Sequence, residues 1–522
     1  MRSARKPGIA AVSFLFVLAA LFALSSLPDA GPSSFARPAP PAACAPPGGA
    51  LDGECFTVLV GKDASADGSV LVAHNEDDRG DILVNLRKIK PRDYGAPKKV
   101  ALGKGALLET DGRTAGFLWI EATTQEYADS FINEHGVLIT SDSCPSRVTE
   151  EDFTDGGIGY MLRRLVAEKA TSARDAVRIA GTLIEKFGYR ASGRTYSIAD
   201  KNEAWMLAAL RGRRWAAQRV PDDEVAVIPN HFTIRRFDPD DTGHFMGSPG
   251  LVEYAAKNGW YDAEEDGPFD FKKAFERPSR REPAADGNTL RHWRGLTLLT
   301  GREWELGGDY PFSVKPAKKV TAEDLMAVLR DHYEGTPYDA TDGYKTGSPN
   351  RTKFRTICTA STINAFVVSL DAKRPEPLSV RVWLTLGKPD TTAFLPLYYG
   401  VENLPPGAGL GQEAHDYELF YKQHFDDAPF KAAKDKLLHT KVLALEQAAE
   451  ADYGPMLETL RKELFPLEKE FIEGRPKFEE DFAALYAKDK KAALKSLDGY
   501  VAAAFEKLGT ATAGLLNKVK GP

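Results

Sequence analysis

Cys55 heads a compact apolar, β-prone run (residues 55–61, CFTVLVG) directly after a stretch rich in Pro, Ala and Gly that has nothing periodic to bury. A cysteine so placed has a specific chemical use. Cleavage of the Glu54–Cys55 bond would put a thiol and a free α-amine on one residue. An α-amine, with an ordinary pKa of about 7.7–8.0, is a serviceable base at neutral pH. It can take the thiol proton directly or through a water, replacing the histidine of a triad. The thiolate then attacks an amide carbonyl, and water hydrolyses the resulting thioester. In the uncut chain the same thiol could attack its own upstream peptide bond. The alternative is that Cys55 pairs with Cys44, since the four cysteines (Cys44, Cys55, Cys144, Cys358) are even in number. Cys144 and Cys358 read as structural, either buried thiols or a disulfide.

Other reactive residue types have simpler accounts. The run His74–Asp78 (HNEDD) offers one histidine and three carboxylates that could ligate a hard divalent metal or zinc, but it also reads as an ordinary polar strand end. No HExxH sequence supports a zinc peptidase, and no metal or cofactor is assigned. Asn133, Glu134 and His135 precede Gly136 and an apolar run, so they read as a turn feeding a strand. Met246–Gly250 (MGSPG) lacks the GxSxG spacing of a serine-hydrolase elbow. Trp119, Trp205 and Trp383 sit in apolar strands and read as core. His332 reads either as part of a site entrance or as a residue that fixes a loop by hydrogen bonding.

The elements that must position these groups follow from local pattern. Residues 55–61 and 69–73 flank a turn segment, Lys62–Gly68, that ends in Asp-Gly; they read as an antiparallel pair. Further strands are expected at 116–121, 137–141, 195–199, 204–208 and 225–228, and later at 362–370, 380–386 and 394–399. Helices are expected near 159–168 and 172–187, the second capped by Thr171 or Ser172 and stopped by Gly188. From about residue 412 the composition turns to Ala, Lys, Glu and Leu at helical spacing, which reads as amphipathic helices covering the body. Strands, helices, strands and a helical tail in that order suggest α+β.

The bulk numbers exclude little else. The chain has 522 residues, 43% hydrophobic and 27% charged, with a formal charge of −6. Both signs are mixed along it, and no basic tract suggests nucleic acid. Arg2, Arg5 and Lys6 precede an apolar stretch from Ile9 to Leu27, followed by small residues, the layout of a secretory signal. The alternative is a retained anchor, because about 18 apolar residues can just span a bilayer. The expected organisation is thus a signal peptide (1–30), a linker or propeptide (31–54), a catalytic domain (55–410) and a helical extension (411–522). The expected location is exported, periplasmic or extracellular. Membrane contact is expected only through the signal segment if it is retained. A homo-oligomer is left open.

Residues 55–77 (CFTVLVGKDASADGSVLVAHNED) resemble the first hairpin of the secernin-like cysteine dipeptidases, a family of the N-terminal nucleophile hydrolases. Asn133–Val137, Tyr196–Trp205 (YSIADKNEAW), Ile228–Asn230, His332–Tyr338 (HYEGTPY) and Trp383–Gly400 resemble stretches of that family in family order. The likeness covers roughly residues 55 to 410. It implies a four-layer αββα sandwich with the nucleophile at the mouth between two antiparallel sheets, and a thiol-dependent dipeptidase acting on small peptides. Penicillin V acylases and bile salt hydrolases are related, so an acylase cleaving a non-peptide amide is one alternative; a non-catalytic exported binding protein on the same fold is the other. The resemblance assigns Cys55 as nucleophile, Asp77 as the carboxylate that orients the α-amine, Asn230 as oxyanion donor and Arg291 as a brace around the nucleophile. His74, Asn75 and Ser143 are supporting candidates. His74 stands where many relatives have an arginine, and Ser143 where acylase relatives place an asparagine or tyrosine.

Overall fold

The computed structural model describes residues 55–79, 82–410, 417, 423–426 and 428–520. The segments read as signal (1–30) and linker (31–54), with Cys44, lie outside the described residues. Phe56–Val60 and Val70–Asp77 form the expected antiparallel hairpin, with Phe56 opposite Asn75 and Thr57 opposite His74. Its flank is extended on both sides. The six-stranded sheet runs, edge to edge, Val225–Ile228, Phe56–Val60, Val70–Asp77, Thr362–Leu370, Val380–Thr385, Leu395–Tyr398. Every pairing in it is antiparallel.

An eight-stranded antiparallel sheet lies against it, ordered Phe245–Gly247, Trp215–Val220, Ala204–Gly212, Tyr189–Ala199, Leu138–Ser143, Ser130–Asn133, Phe117–Ala122, Val84–Ile89. Its alternating side chains build two cores, as the period of two requires. Leu118, Ile120, Met206 and Ala208 join the core between the sheets. Their neighbours Phe117, Trp119, Trp205 and Leu207 join a second core with Leu162, Leu165, Val177 and Ile184, which belong to the helices Met161–Lys169 and Ala173–Phe187. The latter helix begins as expected, with the Ser172 side chain accepting from the Asp175 N–H. It ends at Gly188, whose φ of 79° a residue with a Cβ adopts rarely. Helices Gly287–Thr300 and Ala322–Leu329 cover the outer face of the six-stranded sheet. Two antiparallel sheets between two helical layers make the αββα sandwich.

The helices Leu438–Ala449, Tyr453–Tyr486 and Lys490–Lys520 pack on one another, and the two longest lie along the edge strand Leu395–Tyr398. Covering an edge removes a template for intermolecular pairing. Ion pairs fasten this cover, two of them buried, Lys388 to Glu446 at 3.0 Å and Arg381 to Glu479 at 3.1 Å, and one half-buried, Arg330 to Glu468 at 2.5 Å. Among the described residues, no helix is long and apolar enough to cross a membrane. Cys55, Cys144 and Cys358 are buried free thiols, so the disulfide alternative for the latter two does not hold.

Candidate active site

One step beyond the Phe56–Asn75 pair, the hairpin register sets Cys55 opposite Glu76. The Cys55 thiol donates to Glu76 Oε1 at 3.0 Å, and both residues are fully buried. Glu76 Oε2 lies 3.1 Å from His74 Nε2. His74 Nδ1 meets Thr57 Oγ1 at 2.7 Å, and Thr57 donates its one hydroxyl hydrogen to Asp142 Oδ2, also at 2.7 Å. A continuous hydrogen-bond chain therefore runs Cys55–Glu76–His74–Thr57–Asp142, crossing from one sheet to the other. His74 Nε2 is also 3.3 Å from Thr140 Oγ1.

Burial pushes the Cys55 thiol well above its usual range, and the carboxylates Glu76, Asp142 and Asp77 add to the effect. In this chain it is a protonated donor. Burial likewise raises Asp142 to about 6, against the pull of His74 and Thr57.

The backbone around Cys55 is held from the helix Gly287–Thr300. Arg291, fully buried, donates Nη1 to the Cys55 carbonyl at 3.0 Å, and Nη2 to Asn230 Oδ1 at 2.8 Å and to the Pro229 carbonyl at 3.2 Å. The planar guanidinium reaches all three at once. Gly295, one turn later on the same face, permits this close docking. A Cβ there would sit 3.1 Å from the Phe56 ring and from Val227, so even an alanine would require those side chains to give by a few tenths of an ångström.

Asn230 takes a left-handed φ of 72°, a conformation asparagine tolerates better than most residues. Its amide nitrogen donates to the Ser143 carbonyl at 3.0 Å, which leaves its second amide hydrogen for another acceptor. Asp77 accepts from Thr362 Oγ1 at 2.6 Å and from Arg355 at 2.8 Å, and lies 4.0 Å from Arg291. Burial pushes its carboxyl up while Arg291 and Thr362 pull it down.

The structure thus brings Cys55, Asp77, Asn230 and Arg291 together. Ser143 is there through its backbone carbonyl. His74 faces the thiol's partner. Asn75 points the other way, donating to the carbonyls of Leu329 and Ile357 at 3.0 and 2.9 Å, and so anchors the strand to its covering helix. Thr57, Asp142, Thr140, Arg355 and Thr362 escaped the sequence reading as site residues, and Glu76 entered it only within the run His74–Asp78, as a possible metal ligand. Glu76 alone had a usable signal, the hairpin register. Of the HNEDD run, His74 and Glu76 form one cluster with Cys55 whose three ligating atoms lie within 4.8 Å of one another, close enough to hold a metal ion. Asn133 makes the expected turn, its Oδ1 accepting from the N–H groups of His135 and Val137.

A cleft of about 350 Å³ opens beside Asn230, lined among others by Lys272, Glu276, Arg277, Arg281 and Asn288. Glu276 carries a buried oxygen without a hydrogen bond, and burial raises its carboxyl to about 7 despite Lys272.

Residues 54–425 match peptidase family C69. A probable dipeptidase of Salmonella dublin is 26% identical over 376 residues, spanning 68% of this chain and 83% of the relative. A dipeptidase of Bifidobacterium longum (strain NCC 2705) is 29% identical over 398 residues, 67% of this chain and 72% of the relative. Among solved structures, penicillin V acylase from Agrobacterium tumefaciens aligns with TM-score 0.35 at 14% identity, covering 66% of this chain and 86% of the acylase. With the match extending from the residue before Cys55 through both sheets, the chain belongs to peptidase family C69.

Proposed function

We propose that this chain is an exported cysteine dipeptidase, hydrolysing dipeptides or short peptides through a thioester on Cys55 after a cut at Glu54–Cys55. What carries the reading is the junction of Cys55, Asn230 and Arg291 at the head of the first hairpin, in a chain of a peptidase family. The dipeptidase names of the Salmonella and Bifidobacterium relatives support the substrate class.

The cut supplies what the buried thiol lacks. Burial first, and then three carboxylates, hold the proton on sulfur in the uncut chain; an amine in place of the Glu54 amide gives it a base and, once protonated, a neighbouring cation. The amine takes the thiol proton, and sulfur attacks the substrate carbonyl carbon. Negative charge develops on the carbonyl oxygen, where the free hydrogen of the Asn230 amide acts as donor. Collapse breaks the C–N bond; the leaving amine takes the proton from the α-ammonium. Water then attacks the thioester, releasing the acid and restoring the thiol. Arg291 holds the Cys55 carbonyl, and Asp77, set beside Arg291, is the carboxylate that would orient the new α-amine.

A dipeptide carries both charges in a small space. Lys272, Arg277 and Arg281 are cations for its carboxylate, and the unpartnered oxygen of Glu276 is an acceptor for its ammonium, in the cleft that Asn230 also lines. Export rests on the signal-like residues 1–30. The test joins N-terminal sequencing of active protein from its own host with assays on free, N-acetylated and C-amidated dipeptides. Chains starting at Cys55 are expected, with blocked dipeptides losing at least about a hundredfold in kcat/KM. Full activity in chains beginning upstream of Cys55 refutes the amine mechanism, and equal turnover of blocked substrates or preference for acylated amines refutes the dipeptidase assignment.

A further inference from the structure

A second cluster of metal-ligating groups lies apart from the nucleophile. His332, Cys358 and Asp390 are each buried, and one ligating atom of each falls within 4.8 Å of the others. They come from three separate places in the chain: just after the helix Ala322–Leu329, before the strand Thr362–Leu370, and after the strand Val380–Thr385. Cys358 Sγ is 3.4 Å from Asp390 Oδ1, and His332 Nε2 is 3.7 Å from Asp390 Oδ2. Two ligands on a tetrahedral zinc, at about 2.0 and 2.3 Å from the ion, stand about 3.5 Å apart. The spacing therefore matches a shared ion without rearrangement of the backbone.

The histidine is also oriented for ligation. Its Nε2 is buried and makes no hydrogen bond, which for a polar atom in a protein interior is costly. Its other nitrogen, Nδ1, lies 2.9 Å from the Tyr344 hydroxyl. Tyr344 gives its single hydrogen to Glu334, so Nδ1 must be the donor to Tyr344. The Nε2 lone pair then faces Asp390 and Cys358. An imidazole whose far N–H is fixed by an outer partner is the usual arrangement of a metal-bound histidine. Tyr453, the first residue of the longest tail helix, donates its hydroxyl to Asp390 Oδ2.

We propose that His332, Cys358 and Asp390 form a zinc site, with its fourth position taken by solvent or by the Tyr453 hydroxyl. Imidazole, thiolate and carboxylate together select zinc over calcium or magnesium, which take oxygen ligands. A bound ion would tie the helical cover to three loops of the sandwich, a structural role independent of the Cys55 chemistry.

The test uses the full chain, stripped of metal and titrated with Co2+ as a spectroscopic stand-in for zinc, and separately with Zn2+. One cobalt per chain is expected, with a near-ultraviolet thiolate-to-cobalt band that persists in Cys55→Ala and disappears in Cys358→Ser and His332→Ala. Zinc is expected to raise the melting temperature of the wild type and of Cys55→Ala, but not of Cys358→Ser. X-ray absorption of zinc-loaded Cys55→Ala protein provides a reading that needs no alteration of the site; one sulfur at about 2.3 Å is expected. Absence of tight stoichiometric binding, a zinc shell without sulfur in that protein, or a band lost with Cys55→Ala and kept with Cys358→Ser overturns the proposal. The last result would place the ion on Cys55, His74 and Glu76 instead.

Discussion

Cys55 Sγ and Glu76 Oε1 stand 3.0 Å apart across the first hairpin, thiol donating to carboxylate, at positions the strand register sets face to face. Burial first, and after it the neighbouring Glu76 carboxylate, holds the thiol proton in place. Glu76→Gln keeps an acceptor oxygen at this spot and removes the charge. Thiolate then forms at lower pH, so the acidic limb of kcat/KM is expected to move down by about one pH unit. The measurement is the pH profile of the mature enzyme. A limb that does not move, accompanied only by a lower melting temperature, would reduce Glu76 to a packing partner.

Asn230 combines a left-handed backbone with a buried amide that donates to the Ser143 carbonyl and keeps a second hydrogen, and two substitutions separate these contributions. Asn230→Gly relieves the backbone while removing the donor; Asn230→Ala removes the donor and strains the backbone. If the amide stabilises the oxyanion, both lose about a hundredfold to a thousandfold in kcat, with little change in KM. Both lose the buried hydrogen bonds to Arg291 and Ser143, and the alanine variant should melt earlier than the glycine variant by a further ~1 kcal/mol of strain. A glycine variant with near wild-type kcat would mean that Asn230 serves the turn and not the reaction.

The first hairpin was legible because its strands are contiguous apolar runs joined by an Asp-Gly turn, and the helix 173–187 because Ser172 and Gly188 mark its ends. The strand Val84–Ile89 was missed for a physical reason. Its alternate positions Asn85 and Arg87 are polar, as on a solvent-facing strand, yet both are buried and bound to Glu121. Residue identity cannot reveal that partner, 34 positions from Arg87. The site shows the same division. Cys55 and Glu76 are joined by a local register, whereas Thr57–Asp142 and Asp77–Arg355 close across 85 and 278 residues. Reading His74–Asp78 as a run of ligands also ignored strand alternation, which sends His74 and Glu76 one way and Asn75 the other.

Glu479 shows that the tail is integral to the fold. From the helix Tyr453–Tyr486 it accepts from Arg381 Nη1 at 3.1 Å, from the Tyr398 hydroxyl at 2.9 Å and from Arg475 at 3.3 Å, and it also meets Arg374. Arg381 and Tyr398 are buried in the sheet. Glu479→Ala strips a buried guanidinium of its main counter-charge, and about 3 kcal/mol of stability is the expected loss. Glu479→Gln retains acceptor and donor capacity and should lose less. Urea unfolding of the two variants checks the order, and equal losses would show that packing rather than charge holds the cover.

Asp142 gives a pH-dependent stability whose sign can be worked out. Its folded carboxyl titrates at about 6 instead of the ordinary 3.8, because it is buried at the far end of the chain from Cys55. Between those values the folded protein keeps a proton that the unfolded chain releases. The contribution is therefore fully present below 3.8, falls as pH rises through the folded value, and stays lost above it. At its largest it amounts to about 3 kcal/mol. Asp142→Asn preserves an oxygen to accept from Thr57 and has no proton to lose. Urea midpoints measured from about pH 4 to about pH 7 should decline more steeply for the wild type than for the variant. Parallel curves would mean that Asp142 is ionised throughout, held by His74 strongly enough to cancel its burial.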